Sequence, residues 1–91
     1  MQKTLLEARL QAAGTHAAFD GETATPHVSV NDGMATIGVY FKRRGRTTER
    51  MTIHGSVYTE FEERKLIDDV MSMLEQRARR PEPRKETLKY P

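Results

Sequence analysis

The residues of this chain with chemistry to offer are basic. Lys42-Arg43-Arg44-Gly45-Arg46 is followed closely by Arg50, and a second group, Arg77, Arg79, Arg80, Arg84, Lys85 and Lys89, lies near the end of the sequence. Residues 42–50 and 77–91 together hold eleven of the 15 Lys and Arg residues and only Glu49, Glu82 and Glu86 as acids. Their combined charge is +8, so the remainder carries −6 within a net charge of +2. Segregation of this kind bears on partners rather than on fold. Arginine outnumbers lysine 10 to 5, and the planar guanidinium suits bidentate contact with phosphate.

Catalytic and metal chemistry find little footing. His16, His27 and His54 lack metal-ligand spacing, and cysteine is absent, which removes thiolate sites and disulfides. There is no Gly-rich phosphate loop and no nucleophile motif. Asp68 and Asp69 fall on an expected helix with side chains about 100° apart, so they imply no acid/base dyad. The sequence reads as a non-enzyme without cofactor or metal.

The elements that must position the basic residues follow from periodicity and turn signals. Ninety-one residues, 36% hydrophobic and 31% charged, suit one small α+β domain over 1–80 with a basic, disordered tail over 81–91. No run of apolar residues is long enough to span a membrane, and Lys3, Glu7 and Arg9 interrupt the leucines of the first ten residues, so no signal core is present. A cytoplasmic protein of bacterial or phage type is expected.

Leu6, Leu10 and Ala13 predict a short helix over 5–13, with Thr4 and Glu7 at capping-box spacing and Gly14 as its left-handed stop. Residues 15–26 read as a polar connector in which Phe19 plugs an edge of the core. Val28 and Val30 alternate with polar residues up to Asp32-Gly33, a two-residue type I′ turn signal that pairs Val30 with Ala35 and Val28 with Ile37. Ala35, Ile37, Val39 and Phe41 then form one apolar face. A three-residue loop, Arg43-Arg44-Gly45, sets Ile37 opposite Met51 and Ala35 opposite Ile53; a two-residue loop would bring Arg50 onto the buried face opposite Val39. This register leaves Thr47 and Glu49 on the core side, beyond the reach of the helices.

Thr59 and Glu62 form a capping box for a second helix. Its core stripe is Leu66, Ile67, Val70, Met71, Leu74 and Ala78; acids load its first turn, Arg77, Arg79 and Arg80 its last, and Pro81 and Pro83 end it. Phe61 falls off the stripe, so either the helix starts after it or it covers a loop.

The order is αβββα: a three-stranded antiparallel sheet with two helices packed on one face. It resembles the order of double-stranded RNA-binding domains. Those open their second helix on a lysine cluster, where this chain has Thr59-Glu60-Phe61-Glu62-Glu63, which would repel phosphate. The likeness stops at element order.

The other sheet face then shows His27, Ser29 and Asn31, then Met34, Thr36, Gly38, Tyr40 and Lys42, then Arg46, Thr48, Arg50, Thr52 and His54, with no carboxylate. His27 faces Gly38 and His54 faces Met34. Tyr40 beside Lys42, Arg46 and Arg50 is a basic patch with an aromatic platform, the kind of surface single-stranded nucleic acid uses. Gly38 leaves room for a ligand or another backbone. The expected binding residues are Tyr40, Lys42, Arg43, Arg44, Arg46, Arg50, Arg79, Arg80, Arg84 and Lys85, with nucleic acid as partner. The alternative is a protein-interaction module, such as a phage- or plasmid-encoded inhibitor, that is a monomer or homodimer.

Overall fold

A computed structural model of the chain describes residues 1–81. The order is α1 (Lys3–Ala17), β1 (Thr23–Asn31), β2 (Met34–Arg43), β3 (Arg46–Ser56) and α2 (Glu60–Arg79). The strands form one antiparallel sheet in the order β1-β2-β3, with both helices on one face. Arg84, Lys85 and nearly all of the expected tail lie outside the described residues.

The second helix forms as its local signals require. The Thr59 hydroxyl accepts from Glu62 N–H at 3.1 Å while the Glu62 carboxylate accepts from Thr59 N–H at 3.1 Å, so two helix-end donors are satisfied reciprocally. A hydrogen bond from the Ser56 hydroxyl at 2.6 Å, with others from Thr59, holds the Glu62 carboxyl below its ordinary pKa. Leu66, Val70 and Leu74 are buried, with Ile67, Met71 and Ala78 beside them. Phe61 lies within the helix and is exposed, covering no loop.

The first helix is longer than periodicity suggests. It runs through Gly14 to Ala17, and Gln2, not Thr4, is its N-cap, without a side-chain hydrogen bond. Gly14 stays helical because it is buried against the sheet: a Cβ there would lie 2.8 Å from Ala24 Cβ and 2.9 Å from Val39 Cγ1. Its missing side chain sets how closely helix and strand approach, and it is no stop signal. The connector is correspondingly short, and β1 begins at Thr23, four residues before the alternating run. Pro26, which donates no backbone hydrogen bond, is tolerated because β1 is an edge strand.

The first hairpin has the expected register, with Asn31 opposite Met34, Val30 opposite Ala35 and Val28 opposite Ile37. Asp32 and Gly33 both have positive φ, as a type I′ turn requires. The second hairpin departs from expectation. Arg43 pairs with Arg46 around a two-residue turn, Arg44-Gly45, whose φ values are 54° and 79°. Without correction this loop would bury Arg50. A β-bulge supplies the correction: Phe41 pairs with Glu49 and Lys42 with Thr47, leaving Thr48 as the extra residue. Ile37 therefore lies opposite Ile53, Val39 opposite Met51 and Ala35 opposite Gly55. The pairings move by two residues, so Met51 and Ile53 keep the core side while Arg50, Thr52 and His54 keep the outward side. Arg46, Thr47 and Thr48, between bulge and turn, exchange faces relative to the expected arrangement.

The core sits between sheet and helices. Ala35, Ile37, Val39 and Phe41 are fully buried, and Leu6 and Leu10 of α1 and Leu66, Val70 and Leu74 of α2 are buried against them.

Candidate functional site

Alternation along the strands leaves one sheet face uncovered by helix. It carries Thr25, His27 and Ser29 from β1, Thr36, Gly38, Tyr40 and Lys42 from β2, and Thr47, Arg50, Thr52 and His54 from β3. None of these is an acid. At its centre a row of side chains crosses all three strands. His27 and Tyr40 stack with ring centroids 5.4 Å apart and planes 12° from parallel, an offset stack. From the other flank, Arg50 places its guanidinium carbon 5.6 Å from the Tyr40 ring centroid. Gly38 lies directly opposite His27, beside this row. The space it leaves is taken by backbone: a Cβ at Gly38 would stand on the Met51 carbonyl and 2.6 Å from Thr52 Cα. Farther along, Thr36 and His54 are direct cross-strand partners, with Oγ1 and Nδ1 2.9 Å apart. His54 therefore faces Thr36, not Met34.

The basic residues expected at the site divide into distinct environments. Lys42 and Arg50 stand on the outward face. Arg44 and Arg46 are exposed at the turn and make no ion pair with the described residues. Arg43 is tied down: its Nη2 donates to the Asp20 carbonyl at 2.7 Å, joining the hairpin to the α1–β1 connector. Arg46 shares the core-side alternation with Arg43. Arg79 pairs with Glu75 at 3.2 Å and Arg80 with Glu49 at 2.9 Å, so both already hold acids. The structure thus groups Tyr40, Lys42 and Arg50 on the outward face, leaves Arg44 and Arg46 exposed at the adjoining turn, with Arg46 on the core-side alternation, and removes Arg79 and Arg80 to the helix side.

Sequence reasoning missed the most heavily bonded side chain. Arg77, expected only as one of the charges of the last helical turn, is 2% exposed. Its Nε donates to Glu49 at 2.7 Å and its Nη1 to the Ala17 carbonyl at 2.7 Å. Nη1 and Nη2 grip both Glu22 oxygens at 3.0 and 3.1 Å. The guanidinium also lies between two rings, 4.1 Å from Phe19 and 3.6 Å from Phe41. Phe19 is thus a lid on this charge as much as a plug of the core. Burial works against the Glu22 carboxylate, yet hydrogen bonds from Arg77, Thr48 and the Phe19 N–H, with the Arg77 charge, hold its pKa below the ordinary value. The Thr48 hydroxyl shares its one hydrogen between the Glu22 carboxylate and the Phe41 carbonyl, so this cluster fastens the bulge that keeps Arg50 outward. Glu49, on the core side as expected, is well within reach of α2. The available signal was spacing: Arg77 is three residues beyond Leu74 and one before Ala78, on the core stripe itself.

Among the described residues no three His, Asp or Glu side chains gather as metal ligands do, and no helix is long and apolar enough to cross a membrane. No family model, no curated protein and no solved structure matches the chain.

Proposed function

We propose that this protein binds nucleic acid without catalysing a reaction on it. The outward sheet face makes the contact, and the β2–β3 turn supplies charge for phosphate. The observation that carries this reading is the sign of that face. Its described strand residues include no carboxylate, Lys42 and Arg50 stand on it, and Arg44 and Arg46 are exposed at the adjoining turn without acid partners among the described residues. A polyanion meets only donors and cations there.

Salt dependence is the test. If these four side chains each neutralise a phosphate of a single strand, log K falls by about 0.7 per contact, giving a log–log slope near 3. The double variant Arg44→Ala/Arg46→Ala, which leaves the Arg43 tie intact, lowers that slope by about 1.4. Fluorescence anisotropy of a labelled oligonucleotide across a salt series measures both. A flat salt response, or a variant that binds as the parent does, would refute the reading.

A protein-interaction role, including inhibition of a larger complex, is the second reading. It draws on Tyr58 and Phe61, which are 72% and 77% exposed at the start of α2, the end of the molecule away from the basic turn. Capture of a partner that survives nuclease and is lost in Tyr58→Ala/Phe61→Ser would favour it.

A further inference from the structure

We infer that the stacking position on this face is the outer ring face of His27, and that it takes an unpaired base, so the partner is single-stranded nucleic acid rather than duplex. This rests on the binding reading above and adds the ligand class and the residue that selects it.

Tyr40 looks like the platform from sequence, but its ring is flanked on both sides. β1 and β3 lie on opposite sides of β2, so His27 covers one flank of Tyr40 and the Arg50 guanidinium the other. The row ends at both edges of the sheet, on Arg50 at the β3 edge and on His27 at the β1 edge, and only the His27 end presents an aromatic ring. His27 belongs to β1, an edge strand, and among the described residues no strand lies beyond it. Its imidazole is held nearly parallel to the Tyr40 ring, so its free face continues the direction of the stack. A planar base placed there becomes a third ring, with Arg50 as the cation at the far end.

The surroundings suit such an addition. Thr25 and Ser29, the neighbours of His27 on the same face of β1, are short and exposed, so they do not block the ring and offer hydroxyls to a base edge. The strand's phosphates can then run across the face toward Arg50 and Lys42. A duplex cannot use this position except at its ends, because the faces of its bases are already stacked on one another. Duplex contacts would run through phosphates and groove edges, without a base stacked on His27.

The test uses the full chain and three labelled probes of equal length at one salt concentration: a single strand, the same strand with abasic sites, and a duplex. The parent should bind the intact single strand most tightly. His27→Thr, which suits a strand, should weaken that binding by about 5- to 150-fold, the range expected for losing one base–aromatic stack. Both proteins should bind the abasic strand alike. His27→Phe, which keeps a π face without the imidazole, should stay near the parent, separating stacking from charge. Equal binding of duplex and single strand, or His27→Thr binding as the parent does, would overturn the inference while leaving nucleic-acid binding in place. A parent that binds none of the three probes would overturn both.

Discussion

Arg77→Ala tests the reasoning about the buried charge cluster. The substitution removes four hydrogen bonds and the filling between Phe19 and Phe41, but its main effect is on what remains. The Glu22 side chain is 2% exposed and would keep Thr48 and the Phe19 N–H as partners while losing its counter-charge. Removing one member of a buried ion pair costs about 3–5 kcal/mol. A chain of this size has a total stability of roughly 5–10 kcal/mol, so the variant should be near the edge of folding. At about 4–8 °C per kcal/mol, its melting temperature should fall by roughly 12–40 °C. Glu49→Gln should cost far less, about 1 kcal/mol, because Glu49 is 34% exposed and solvent screens it. Replacing the pair, Arg77→Met with Glu22→Leu, should restore more than half of the loss, since no unpaired charge is left. Acid titration offers an independent check. The folded pKa of Glu22 lies below its ordinary value of 4.5, so the associated stability is present above that value and is lost as pH falls below it toward the folded pKa. Urea midpoints followed by circular dichroism should drop in that window for the parent and drop less for Glu22→Gln, with Glu62, whose pKa is also lowered, contributing to what remains. If Arg77→Ala proves stable to within about 1 kcal/mol of the parent, the cluster does not hold the bulge as argued.

Two further expectations concern the sheet. Gly38→Ala should cost about 3 kcal/mol or more, because its Cβ would strike the backbone at Met51 and Thr52, which cannot move aside as a side chain can. Gly45→Ala, with φ of 79° and nothing within 4 Å, should cost only the left-handed penalty of about 1–2 kcal/mol; equal losses by chemical denaturation would contradict the close-packed strands. Ile37→Asp should unfold the chain, since Ile37 is fully buried opposite Ile53, whereas Tyr40→Ala on the open face should leave the melting temperature within a few degrees; the reverse pattern would mean that β2 presents its other face to the core.

The sequence by itself determined those features whose partners are close along the chain. The Thr59–Glu62 box, the Asp32-Gly33 turn and the core stripe of α2 each depend on residues within a few positions or on a simple period, so residue types suffice to read them. The outward face was legible for the same reason: alternation fixes it wherever a strand is regular, and Tyr40, Arg50 and the absence of acids could be read directly. Tertiary structure decided the rest. Gly14 continues a helix because β1 and β2 press against it, which no local signal reveals. The β2–β3 turn has two residues rather than three because an extra residue at Thr48 restores the buried face, and that bulge is fastened by Glu22, 26 residues away. Arg77 is buried only because Glu22 and Glu49, 55 and 28 residues distant, converge on it with two aromatic rings. Desolvating a guanidinium is unfavourable until every one of those partners is in place, and their convergence is a property of the assembled layers rather than of any segment.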